Sequence, residues 1–166
     1  QDAALADNMM SSIMAHSTAY DLLDKGQSEQ SFWWSHSATG LDLKCRCDKI
    51  NGDTIVDLKT TGEGGASPES FTKTITNFNY HLQAAHYLQG TNCKRFVFVV
   101  IEKVFPFNIG VYQLDDEFLD LGYEIQEQAL LKIFEANQSG KWLGYTDTEP
   151  NGIQTLDKPY WLSNND

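Results

Sequence analysis

The chain has 166 residues, 41% hydrophobic and 12% aromatic, enough apolar mass to close one core and too little for two. Charged residues make up 21%, with only 12 glycines and 4 prolines, which excludes a disordered, collagen-like or low-complexity chain. A net charge of −11 argues against a protein that coats nucleic acid with a broad basic surface, although not against an enzyme that gathers carboxylates around a divalent cation. One domain over residues 1–166 is therefore expected, and because the chain opens on Gln1 rather than Met, it is expected to be part of a longer gene product. No apolar run reaches the roughly 18 residues of a membrane span, and QDAALADNMM lacks the basic start of a signal peptide, so a soluble protein is expected. Three cysteines, Cys45, Cys47 and Cys93, cannot all pair within one chain, which favours a reducing, cytoplasmic compartment.

In chain order, Met9, Ile13, Tyr20 and Leu23, with Met10 and Met14 beside them, predict one helix over residues 2–25, carrying His16 on its apolar stripe and stopped by Gly26. Residues 29–36 are aromatic and β-prone, while 41–50 and 53–60 alternate as half-buried strands around Asn51-Gly52, a strong hairpin signal. A loop of Gly62, Gly64 and Gly65 leads through Ser67-Pro68 into helices near 68–75 and 77–89, the second ended by Gly90. Residues 94–104 read as a buried strand and 107–114 as its hairpin partner, followed by a long amphipathic helix over 116–138. The acidic run Asp115-Asp116-Glu117 suits the N-terminal end of that helix as a cap. The tail carries Trp142, Tyr145, Tyr160 and Trp161 for packing on the core or on a partner. The order α-β-β-β-α-β-β-α predicts an α/β fold, a mixed sheet with helices on its faces.

With Asn51 and Gly52 as the two loop residues, Ile50 faces Asp53, Asp48 faces Ile55, and Arg46 faces Asp57. The strand period of two then sends Asp48, Asp57 and Lys59 to one side and Cys47, Val56 and Leu58 to the other. Cross-strand and diagonal neighbours lie about 5–8 Å apart, near enough for two carboxylates to share a divalent cation. An isolated Asp-x-Lys is usually a solvated surface pair. Here Ile55-Val56-Asp57-Leu58-Lys59 is apolar enough for a central strand, where an unanswered charge is costly.

These residues resemble the PD-(D/E)XK nuclease superfamily, and within it the exonuclease VIII branch of RecE-type phage and prophage recombination nucleases. The likeness rests on CRCDKINGDTIVDLKTT, ASPESF and NYHLQAAHYLQG over residues 45–90, extended upstream by Ala15-His16 and EQSFWW. It implies a restriction-endonuclease-like core in which Asp48 and Asp57 bind Mg²⁺ or Mn²⁺ and His16 adds a ligand, as in the RecB-like group. It further implies that Lys59 positions or activates the attacking water, that Gln83 and Tyr87 match the Q-x-x-x-Y motif lining the site and touching the DNA backbone, and that Glu29 fits an acidic position on the first strand. Cys47 stands where the superfamily pattern has proline, a residue that shapes the backbone and supplies no ligand.

The implied activity is metal-dependent hydrolysis of linear double-stranded DNA from its ends, 5′→3′, in phage-type homologous recombination. The implied partners are duplex DNA ends, a single-strand annealing protein and further copies of the chain in a ring. Two other readings stay open: an endonuclease, and a catalytically silent DNA-end-binding or assembly module of the same fold. For His16, a core histidine bonded to the backbone is an even alternative. Three cysteines fall short of the four thiolates of an iron–sulfur subgroup, and the glycine loop lacks the lysine of a phosphate-cradling P-loop.

Overall fold

The computed structural model describes residues 2–149 and 151–159. They fall into two compact units, Gln1–Leu130 and Leu131–Asp166. The first unit holds a five-stranded sheet in the order β1-β2-β3-β4-β5. Its strands are β1 (Gln27–Ser35), β2 (Asp42–Asn51), β3 (Thr54–Thr61), β4 (Arg95–Glu102) and β5 (Ile109–Gln113). β3 and β4 run parallel and every other neighbouring pair antiparallel, so the sheet is mixed, as expected. β4 is buried along its whole length after Arg95 because helices cover both faces of the sheet. Ile55, Phe96, Phe98 and Val100 pack with α3 (Pro68–Phe78) and α4 (Tyr80–Gly90) on one side. Val56, Val99 and Ile101 pack with α1 (Asp2–Ala15) and α2 (Ser17–Asp24) on the other.

The helix expected over residues 2–25 is two helices. His16 takes an extended backbone (φ −97°, ψ 99°), and its Nδ1 accepts from Ala19 N at 3.2 Å, so the side chain caps α2 instead of lying on a continuous stripe. Of the apolar residues assigned to that stripe, Ile13 is buried, Met9 and Leu23 pack half-buried on the same cluster and Tyr20 is exposed, as are Met10 and Met14 beside it. A second break separates α3 from α4 at Asn79, whose left-handed backbone (φ 54°) ends one helix and opens the next. Ser67 caps α3 and Pro68 opens it.

The β2–β3 hairpin closes two residues away from the expected register. Asn51 pairs with Thr54, Ile50 with Ile55 and Lys49 with Val56, leaving Gly52 (φ 62°) and Asp53 at the turn. Asn51 is held in the strand by its side chain, which donates to the Asp21 carbonyl at 2.9 Å near the end of α2. A second departure concerns Cys47, expected beside Val56. It packs instead with Cys45 and Ile55 in the α3–α4 cluster. Strand alternation is interrupted just there, where the β1–β2 ladder skips Glu29 and Asp48 and Glu29 sits at φ 57°.

α5 (Asp116–Ser139) begins with Asp115 Oδ1 accepting from Phe118 N at 2.8 Å, the expected cap. Gly122 lets α5 approach α4, since a Cβ there would strike the His81 carbonyl. In the second unit, Trp142 and Leu143 are exposed and share a groove with Lys132, Ile133 and Ala136. Tyr145 is exposed; Tyr160 and Trp161 lie outside the described residues.

Candidate active site

The site lies where two strands part. Continuing the β2–β3 ladder beyond Lys49 and Val56 would set Asp48 opposite Asp57, but the pairing stops there. β3 continues to Thr61 paired only with β4, while β2 continues to Asp42 paired only with β1. Such a fork strands backbone donors, and a buried N–H without a partner is costly. Asp48 answers part of that cost by accepting from Leu58 N at 3.1 Å through Oδ2.

Asp57 is 2% exposed and points to the α4 side with Ile55 and Lys59. Its Oδ1 accepts from Gln83 Nε2 at 2.7 Å. Its Oδ2 lies 2.6 Å from Lys59 Nζ, a close ion pair between a buried carboxylate and a largely buried ammonium group. Lys59 Nζ donates to Gln83 Oε1 at 3.1 Å and sits 4.4 Å above the Tyr80 ring, a cation–π contact. Burial raises the Asp57 pKa most, and the nearby charge of Asp48 raises it further, against the lowering pull of Lys59 and Gln83. Lysine and glutamine thus leave the carboxylate under-compensated for its burial.

The structure brings Asp48, Asp57, Lys59 and Gln83 together. Tyr87 stands one turn beyond Gln83, half-buried, and its ring meets Phe96 edge-on at 6.0 Å. Burial raises its phenol pKa. His16 Nδ1 is engaged in the cap of α2, and among the described residues no three His, Cys, Asp or Glu side chains form a metal-binding group. Glu29 is exposed and pairs with Arg46 at 2.6 Å. Tyr80 was not singled out from the sequence, although positions 80, 83 and 87 follow the three-and-four spacing of one helix face.

A divalent cation fits this donor set. Two neighbouring carboxylates, one of them buried beyond what its partners compensate, are hard ligands of the kind Mg²⁺ and Mn²⁺ take, and such ions bind through one or two carboxylates with water and phosphate oxygens completing the shell.

Residues 1–148 match the sequence profile of a family described as a PDDEXK-like domain of unknown function, DUF3799. Among solved structures, the chain aligns at a TM-score of 0.66 and 17% identity with a protein from Eubacterium rectale named "Putative exonuclease", covering 94% of this chain. The chain spans 62% of that protein's length. A second structure, SSO0001, aligns at a TM-score of 0.45 and 15% identity, covering 82% of this chain and 61% of the other. No curated protein matches the sequence. The family match and the first likeness agree with the restriction-endonuclease-like core that the motif resemblance implied, and the five-stranded mixed sheet agrees with the α/β order read from the sequence.

Proposed function

Because the chain belongs to the family of PDDEXK-like domains, whose nuclease members generally use divalent metals, we propose that it is a metal-dependent nuclease that hydrolyses linear duplex DNA from its ends. The observation that carries the reading is Asp57, a buried carboxylate whose burial outweighs its partners, beside a second carboxylate, Asp48, and the ammonium group of Lys59. Asp48 and Asp57 would hold Mg²⁺ or Mn²⁺. When bound, that cation lowers the pKa of water and offsets negative charge gathering on the phosphate.

The chain's own groups do the rest. Lys59 brings a compact positive charge to the edge of the site, beside the attacking water and the scissile phosphate. Its ammonium group is held by Gln83 Oε1 and by the face of the Tyr80 ring, so it is aimed before substrate arrives. Gln83 fixes the Asp57 carboxylate through Oδ1, while Oδ2 faces Lys59. Asp48 serves twice, closing the strand fork through Leu58 N and adding the second negative charge. Tyr87 stands on the same helix face as Gln83, towards the DNA backbone.

Action from DNA ends is supported by the motif resemblance to the exonuclease VIII branch and by the name carried by the Eubacterium rectale protein. The same reading extends to 5′→3′ polarity, a ring of several copies, and a single-strand annealing protein that takes the exposed 3′ strand. The test is digestion of end-labelled linear duplex and of closed circular duplex, with and without chelator. Release of label from the linear form alone, stopped by chelator, is the expected result. Digestion that ignores chelator, or none at all, overturns the reading, and cutting of closed circles makes the enzyme an endonuclease.

A further inference from the structure

Alongside the acids runs a groove with no role so far. It lies between α4 and the first part of α5, has a volume of about 570 Å³, and is lined by Phe78, Tyr80, Gln83, His86, Tyr87 and Gln126 among others. That volume falls within the roughly 300–1,000 Å³ of small-molecule sites. Three features give it a chemical character. First, it is continuous with the catalytic groups: Gln83, which holds Asp57 and Lys59, is one of its walls. Second, it offers flat aromatic surface. The Phe78 ring stacks on Tyr80 at 5.8 Å and 24° and is itself 67% exposed, so its outer face is open to a ligand. Third, Gln126 is 4% exposed, its amide nitrogen is engaged by Gln89, and its Oε1 has no hydrogen-bond partner. A buried amide oxygen left unmet costs free energy that a ligand donor recovers.

Aromatic faces, one buried acceptor and a wall shared with the phosphate-cleaving groups describe a receptor for a planar ring that bears an amino group and is attached to a phosphate. We infer that the groove receives an unpaired nucleobase of the nucleotide whose phosphate the Asp57–Lys59 site addresses, with Gln126 Oε1 accepting from its exocyclic amine and the exposed Phe78 ring stacking on its face. The inference rests on the nuclease reading and adds a requirement to it: the base next to the scissile bond leaves the duplex stack before cleavage. A paired base has its amino edge occupied and both faces covered, so it cannot use the groove. The occupant is a nucleotide rather than an apolar peptide, because a peptide would leave the Gln126 oxygen unanswered unless it threaded its backbone to that depth.

The test is calorimetric titration of the full chain, in Mn²⁺, with dAMP and with purine 2′-deoxyriboside 5′-monophosphate, which keeps the ring and lacks the amine. Wild-type protein is expected to bind dAMP about fivefold more tightly, the worth of one net hydrogen bond. In Gln126→Leu that preference disappears. In Phe78→Ser, a change at an exposed site, both nucleotides weaken about tenfold, the scale of one lost stacking contact. Equal binding of the two nucleotides by wild type, or a preference that survives Gln126→Leu, overturns the groove assignment. Digestion of linear duplex by the same preparations separates the two claims. Intact digestion without the amine preference sinks the base site alone, whereas nucleotide preference without digestion sinks the nuclease reading and leaves the base site standing.

Discussion

Gln83 Nε2 donates to Asp57 Oδ1 at 2.7 Å, so one helix residue fixes the carboxylate of the central strand with its other oxygen turned to Lys59. The same amide accepts from Lys59 at 3.1 Å through its oxygen, tying acid and base to a single side chain. Gln83→Leu removes both ties and touches no backbone bond. We expect metal-dependent DNA digestion to fall about 10–100-fold, the usual scale for losing a group that orients a metal ligand, with thermal stability near wild type. Steady-state rates and a melting curve on the same sample check it; unchanged rates would show that Asp57 and Lys59 orient without help.

Asp57 carries the pH prediction. Its pKa is raised by burial, so the folded chain favours the neutral carboxyl. The stability that this neutral form contributes is full below the ordinary carboxylate range and is lost as pH rises through the raised value. At neutral pH, without divalent cation, wild type therefore bears a penalty that Asp57→Asn escapes. The variant should melt higher at neutral pH, and the difference should shrink as the solution is acidified. Mn²⁺ should raise the melting temperature of wild type and leave Asp57→Asn unmoved, while the variant loses chelator-sensitive digestion. A variant that melts lower at neutral pH would contradict the electrostatic account.

The alternation Ile55-Val56-Asp57-Leu58-Lys59 was enough to put Asp57 and Lys59 on one side of a central strand, because side-chain direction depends only on the period of two. The hairpin register was off by two residues, and an even slip preserves sides; that is why Asp48 still arrives near Asp57 although the expected partner pairs do not form. Cys47 was assigned to the wrong side because the interruption at Glu29 and Asp48 is a backbone event, with no glycine at either position to announce it. His16 escaped for a related reason. Its apolar neighbours continue the helical spacing on both sides, and a histidine cap looks like any other stripe residue until its backbone is known to be extended. The pairing of Gln83 and Tyr87 with the acids came through family resemblance alone, since i and i+4 on a helix fix a shared face but not what that face meets.

Asp48 joins structure to chemistry, and two substitutions pull the roles apart. Its carboxylate accepts from Leu58 N at 3.1 Å, at the point where β2 leaves β3. Asp48→Ala deletes that acceptor and should cost about 1 kcal/mol of stability. Asp48→Asn keeps a side-chain oxygen in the same place and should melt close to wild type, yet it removes one of the two negative charges offered to the cation. Titration with Mn²⁺ should then show clearly weaker binding for both variants, with a stability loss for Ala only. Equal Mn²⁺ affinity in wild type and Asp48→Asn would remove Asp48 from the ligand set.

His16 separates the cap from the ligand. Its Nδ1 accepts from Ala19 N at 3.2 Å, and Ala19 is fully buried in the cluster formed by Val56, Val99 and Ile101. Loss of an N-cap side chain typically costs about 1 kcal/mol, so His16→Ala should lower the melting temperature by a few degrees for a chain of this size. His16→Asn supplies a side-chain oxygen that caps at least as well and should restore stability. Neither change should alter Mn²⁺ affinity, because His16 Nδ1 is engaged in the cap of α2. If His16→Asn instead keeps full stability and loses Mn²⁺ affinity about tenfold, the imidazole reaches the cation when metal and DNA are bound, and the α1–α2 break is then a hinge that delivers it.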